Sequence, residues 1–257
     1  MGYKDILVYL DPTPASAVRL AVALRIAALE GAYVTGVDAT SDEAFLGDWR
    51  DAATQIEGAF HEALKGAGVL GEFHVADSRT RLADFAYPAD LVVAPSPSPE
   101  HRKLIRAGVP DEVVMQAGAP VLAIPTHWPG GDCGKRVVIA WNASREARRA
   151  VRDALPILKR AEEVVVFVFS KDESPLRASA RNLATYLDRH GVKAHISDWT
   201  HTGDVSAIEA MFASLDTQNA DLVVAGAFGH SRVFETLFGS VSHDLLAQPV
   251  LPVLMSH

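Results

Sequence analysis

The chain repeats itself, and the repeat limits what it can fold into. The hexapeptide ADLVVA occurs at Ala89–Ala94 and again at Ala220–Ala225, an offset of 131 residues. The same offset lays Ile6-Leu7-Val8-Tyr9-Leu10-Asp11 over Val137-Val138-Ile139-Ala140-Trp141-Asn142, and Gly108 over Gly239. Ala119-Pro120-Val121-Leu122 matches Leu251-Pro252-Val253-Leu254, with one added residue in the second copy. A repeat of this length reads as two tandem domains of about 130 residues each, inside the usual domain range. The expected domains are residues 1–127 and 135–257. Between them lies THWPGGDCGK, residues 126–135, which is rich in glycine and has no periodicity.

Within each half, short apolar runs alternate with longer amphipathic ones. In the second half the candidate strands are Arg136–Trp141, Glu163–Phe169, Val192–Trp199, Asp221–Ala225 and Pro252–Met255. Arg145–Arg160 has a helical pattern, with Val151, Ala154, Leu155 and Leu158 on one face. Pro156 argues against its continuity, whereas the first half has Arg25 at that position. Nearly continuous Val/Leu/Ile strands imply a sheet buried on both faces, as parallel sheets covered by helices require. The expectation is an α/β chain of two open doubly wound domains, each with a five-stranded parallel sheet flanked by helices.

Composition narrows the function classes. A net charge of −8 over 257 residues, and no Lys/Arg cluster longer than three or four residues, give no footprint for DNA or RNA. The single cysteine, Cys133, excludes an intrachain disulfide framework and both common zinc spacings, so no metal site is expected. Met1-Gly2-Tyr3-Lys4-Asp5 runs straight into a strand-like segment without a secretory pattern, and Ile6 stands where myristoylation favours Ser or Thr. No apolar stretch approaches the roughly 20 residues of a membrane span. The expectation is a cytoplasmic protein without membrane contact, in which the Asn142-Ala143-Ser144 sequon has no glycosylation role.

The fourth strand of the second half runs into GAFGHSRVFETLFGSVSHD, residues 226–244. Ligands of open α/β sheets bind outside the carboxyl ends of the strands. A glycine loop leading to a helix N-terminus offers backbone N–H groups to phosphate oxygens. Gly226, Gly229 and Gly239 let the backbone approach an anion closely, and Ser240 and Ser242 can donate to phosphate or cap the helix. A glycine turn with a serine cap and no ligand explains the same spacing. Neither GxxxxGK[ST] nor GxGxxG follows a strand; the near miss at Gly130–Lys135 is a residue short and precedes one.

The pattern Gly226-x2-Gly229-x9-Gly239-Ser240 resembles the G-2x-G-9x-G-(S/T) signature of the universal stress protein family. ADLVVA before it, VLPVLM after it and VVIAWNAS at the start of the second half are also similar to that family, so the resemblance spans the chain as a tandem. It implies a stress-response protein that binds ATP or another adenine nucleotide, with or without Mg²⁺, as a regulatory or protective module. Gly226, Gly229, Gly239 and Ser240, with Val241, Ser242 and His230 beside them, would surround the phosphates. Ala140, Asn142 and Ala143 would contact adenine and ribose, with Val168 as an apolar wall at the end of the second strand. The resemblance also implies that the halves pack as an intramolecular pseudo-dimer through Pro120–Ile124 and Pro252–Met255. It leaves open a homodimer of the whole chain and unknown protein partners.

The halves differ at this motif. Asn142 replaces the family's usual Asp, while the first half keeps Asp11. At the repeat offset Pro95 replaces Gly226, Ser98 replaces Gly229, Val109 replaces Ser240 and Asp111 replaces Ser242. Proline has no N–H to offer and aspartate has the wrong sign, so the first site is expected to be degenerate. The stretch PSPSP, residues 95–99, reads as a rigid extended turn. His230, Arg232 and His243 read more readily as solvated side chains than as ligand contacts. No nucleophile or general base is positioned, and the SGGxDS and HIGH loops of adenine-nucleotide enzymes do not occur, so no catalytic residue is expected. A structural pseudo-dimer without ligand and a slow ATPase are the alternatives.

Overall fold

The computed structural model describes residues 2–40, 49–76, 80–96, 103, 105, 109–170, 175–200, 205–227 and 250–257. The chain divides into two compact units, Met1–Gly131 and Asp132–His257.

The first unit contains β1 (Asp5–Leu10), α1 (Pro14–Glu30), β2 (Tyr33–Asp38), α2 (Trp49–Ala67), β3 (Gly71–Val75), β4 (Leu91–Ser96), α3 (Asp111–Gln116) and β5 (Val121–Pro125), with a 3₁₀ turn at Leu82–Ala86. Its strands are parallel in the order β3-β2-β1-β4-β5. The second unit contains β6 (Arg136–Ala140), α4 (Arg145–Asp153), α5 (Leu155–Leu158), β7 (Glu163–Ser170), α6 (Pro175–Arg189), β8 (Ala194–Thr200), α7 (Ala207–Thr217), β9 (Leu222–Gly226) and β10 (Val253–Ser256). Its strands are parallel in the order β10-β9-β6-β7-β8, the same winding. Each unit is thus the five-stranded doubly wound sheet that the sequence pattern predicts. The central strands β1, β4, β6 and β9 carry buried Ile, Leu and Val, which no single-faced sheet could shelter.

Local chemistry sets the helix ends. Proline opens α1, where its missing N–H would have no helical partner anyway, and Gly31 closes it in the left-handed region at φ 62°. The helical pattern over 145–160 is two helices, interrupted at the proline that argues against its continuity. The Pro156 ring would strike the carbonyl of Arg152 and has no N–H to donate to it, so α4 ends at Asp153 and α5 restarts through bonds from Ile157 N and Leu158 N to Ala154 O, both 2.9 Å. In α1 the equivalent Arg25 lets the helix run for 17 residues. Ser206 and Glu209 form a reciprocal capping box at the start of α7.

The aspartate of each ADLVVA copy has a structural task. Asp90 Oδ2 accepts from the backbone N–H of Lys4 at 2.6 Å and of Asp5 at 3.1 Å. Asp221 accepts from Gly134 N at 2.7 Å and Arg136 N at 3.1 Å. In both units this carboxylate ties the amino end of the first strand to that of the fourth.

The extended turn expected at residues 95–99 is corrected for its first two residues. Pro95 and Ser96 continue β4 and pair in register with Ile124 and Pro125. The ladder between β4 and β1 ends at Val93, so Pro95 lies beyond it, where its missing N–H removes no bond to β1. Residues 97–99 lie outside the described residues.

Candidate nucleotide site

The site expected in the second unit starts where β6 ends. Ala140 closes that strand, in register with Phe167 of β7 and Ala225 of β9. Trp141 is buried, its N–H donating to Phe167 O at 3.0 Å and its indole to Ser179 Oγ at 3.2 Å. Asn142 Oδ1 accepts from Ser144 N at 3.0 Å, and Ser144 Oγ then caps α4 by accepting from Ala147 N at 3.0 Å. That bond fixes which end of the Asn142 amide is oxygen. Its Nδ2 has no partner among the described residues and is a donor on a half-buried loop. Between them Ala143 is exposed and stands at φ 59°, a left-handed conformation that costs an alanine about 1–2 kcal/mol. Strain of this kind concentrates at functional loops.

Gly226 ends β9 beside this loop. A Cβ there would lie 2.4 Å from Ala147 N and 2.7 Å from the carbonyl carbon of Glu146. Only glycine lets the strand end and the first turn of α4 come this close. This contact was not legible in the sequence, where Gly226 reads only as a phosphate-loop residue.

Nothing in the sequence pattern singles out Glu146. It is 7% exposed, in the first turn of α4, and accepts from Arg145 Nε and Nη2 at 3.2 Å. Burial pushes its carboxyl up, but hydrogen bonds from its own backbone N–H, Arg145 and Ser144, with the Arg145 charge, hold it below its ordinary value. The positive end of α4 therefore already faces a carboxylate.

The structure brings Ala140, Asn142, Ala143 and Gly226 together around one sheet edge. Val168 is corrected in position. The strand β7 runs on to Ser170, so Val168 lies inside it, in register with Asp198 and fully buried. Gly229, His230, Gly239, Ser240, Val241 and Ser242 lie outside the described residues, as do Arg232 and His243. Among the described residues no group of His, Cys, Asp or Glu is assembled to hold a metal, and no helix is long and apolar enough to cross a membrane.

The equivalent loop of the first unit is built differently. Asp11 Oδ1 accepts from Thr13 N at 2.8 Å and from the Thr13 hydroxyl, which repeats the Asn142–Ser144 turn. Its other oxygen is taken by Arg19 Nη2 at 2.5 Å. Arg19 is fully buried, its Nε donating to Tyr9 O at 2.6 Å and its Nη2 also reaching Ser16 Oγ at 3.3 Å. Burial pushes the guanidinium below its ordinary value, against the pull of Asp11. At the repeat offset Arg19 becomes Ala150, and Pro12 stands where Ala143 does. A proline ring holds φ near −65°, so the first loop cannot take the left-handed turn of the second.

Similarity to known proteins respects this division. A profile of the universal stress protein family matches residues 134–257. No curated protein is significantly similar in sequence. Among solved structures, a universal stress protein from Archaeoglobus fulgidus DSM 4304 is 17% identical, with a TM-score of 0.71 and 97% of each chain covered. A protein of unknown function from Pseudomonas aeruginosa PAO1 is also 17% identical, with a TM-score of 0.62, covering 98% of this chain and 92% of its own. A universal stress protein solved with cAMP covers 49% of this chain and 99% of its own, at 21% identity and a TM-score of 0.37. The long alignments carry the fold over the chain, and the profile carries the family for one part of it: residues 134–257 match the universal stress protein family.

Proposed function

We propose that the chain is a stress-response binding module that holds one adenine nucleotide, ATP or a relative, in a second domain spanning 135–257, while a first domain at 1–127 holds none. The observation that carries this reading is Asn142 Nδ2, a donor without a partner among the described residues, on the loop that leaves β6 next to the carboxyl end of β9. Asn142 spends its oxygen on the turn, as Asp11 does, and keeps a donor suited to a ring nitrogen or ribose oxygen. Gly229, Gly239 and Ser240 follow at the family spacing and would supply phosphate donors. In the first unit Asp11 is consumed by Arg19 and Pro95 has no N–H, so neither end of such a site is present.

The reading assigns binding without fast chemistry, because no base is placed to orient water. Calorimetric titration of the full chain with ATP, with and without Mg²⁺, tests it. One site per chain is expected, abolished by Gly229→Val and untouched by Ser98→Val. Two equivalent sites, or binding that survives Gly229→Val, would overturn the assignment, as would steady hydrolysis on the order of 10 per second. A second reading, a scaffold without ligand, draws on Glu146, whose carboxylate occupies the α4 terminus that would otherwise face an anion. Absence of binding by any adenine nucleotide would select it.

A further inference from the structure

The first unit holds a half-open cavity of about 360 Å³ between α1 and α2, at the carboxyl end of β1. That volume lies in the range of small-molecule sites. Its floor is apolar and buried: Leu20, Leu24, Ile56 and Phe60. Its rim is made of exposed alanines, Ala17 and Ala21 on α1 and Ala59 on α2. Larger side chains at these three places would close the groove; alanines leave it open.

One end is polar. Asp11, Thr13 and Ser16 reach the cavity there. The Asp11 charge is answered inside the fold by Arg19, and both carboxylate oxygens are engaged. No uncompensated charge therefore faces the cavity from the described lining. A phosphate or carboxylate would meet Asp11 with no cation to spare. Ser16 differs. It is 8% exposed, and its Oγ already accepts from Asp11 N at 3.1 Å and Arg19 Nη2 at 3.3 Å. Two incoming donors leave the hydroxyl proton to be given away, and no acceptor for it stands among the described residues.

We infer that this cavity binds a neutral amphiphile: an alkyl or acyl chain on the alanine-rimmed floor, with an uncharged oxygen accepting from Ser16. At roughly 30 Å³ per water-sized volume the space suits a body of about a dozen heavy atoms. The inference is independent of nucleotide binding in the second domain.

Titration of the full chain, ¹³C-labelled at Ile and Leu methyls, with 1-octanol at neutral pH is the test. Saturable shifts are expected at Leu20, Leu24 and Ile56, and octanoate, the same chain with a charged head, should bind at least tenfold more weakly. Ala59→Trp should reduce the octanol affinity at least tenfold, and Ala21→Trp should do the same if the first variant fails to fold. Ser16→Thr keeps the hydroxyl and should retain binding. No saturable shift would overturn the inference, as would shifts that survive both tryptophan variants, or octanoate binding as tightly as octanol. Shifts at the same methyls that track protein concentration alone would also overturn it, since a second copy would then fill the groove.

Discussion

The loops after β1 and β6 are two solutions of one turn. In both, a side-chain oxygen at the start of the loop accepts the N–H two residues on, 2.8 Å for Asp11 and 3.0 Å for Asn142. The second polar atom of each side chain meets a different fate. Asp11 has another oxygen and a charge, and the first unit answers them with a buried arginine from the second turn of α1. Asn142 has an amide nitrogen and no charge, and the second unit puts fully buried Ala150 where that arginine would be. The first loop closes its carboxylate internally, and the one group it leaves unmatched among the described residues, Arg19 Nη1, is buried. The second leaves a donor without a partner among the described residues. A single acid-to-amide difference thus goes with a change from a sealed turn to an open one, because an unpaired carboxylate in such a place would be too costly to leave.

The largest expected effect breaks the sealed turn. Asp11→Ala leaves Arg19 buried without a counter-charge and should destabilise the first unit by about 3–5 kcal/mol in urea unfolding. Asn142→Ala removes only one neutral bond and should cost about 0.5–1.5 kcal/mol. Equal losses would mean that the Asp11–Arg19 pair does not seal its loop.

Next in size is the strand end. Gly226→Ala places a methyl 2.4 Å from Ala147 N, so α4 or β9 must shift, at about 1–3 kcal/mol and with loss of nucleotide affinity. Pro95→Ala in the first unit should change stability by less than about 1 kcal/mol, since Pro95 lies beyond the β1 ladder. Unchanged ATP titration of the Gly226→Ala protein would separate the glycine from the ligand and leave only its packing role.

The loop backbone gives a smaller, sharper contrast. Ala143→Pro copies the first unit into the second at a φ of 59° that proline cannot adopt, and should destabilise by more than about 1 kcal/mol. Ala143→Gly relieves the left-handed alanine and should stay within about 1 kcal/mol of the parent, on the stable side. Thermal unfolding of both variants checks the pair together. If proline is accepted, the left-handed turn is not what separates the loops.

The smallest effect is acid sensitivity. The carboxyl of Glu146 sits below its ordinary value when folded, so the stability it confers is present above the unfolded value and lost as pH falls through the folded one. Between about pH 5 and pH 3 the parent should lose more stability than Glu146→Gln does. Parallel urea curves over that range for the two proteins would remove Glu146 from the account of the α4 terminus.

Much of this is legible in the sequence alone. The repeat of ADLVVA and the solid Val/Ile/Leu runs specify two five-stranded parallel sheets, since such runs can be buried only between helix layers. Pro156 announces the break between α4 and α5, and Gly226 stands at the end of the fourth strand, as its place after DLVVA implies. The spacing of Gly226, Gly229, Gly239 and Ser240 is sufficient to point to the family whose profile matches residues 134–257. Periodicity and spacing are properties of the chain in order, and a sequence displays them directly.

Contacts between residues distant in order are another matter, and tertiary structure alone decided them. Nothing in the spacing of Asp11 and Arg19 says that one neutralises the other, because the pairing depends on how α1 lies on β1. The ADLVVA aspartates look like surface acids until β4 and β9 bring them to backbone N–H groups 85 and 86 residues away. Gly226 reads as a ligand loop until the first turn of α4 is found where its Cβ would be. In each case a charge or a volume became meaningful only through its neighbour, and neighbours are set by the packing of helices on the sheet.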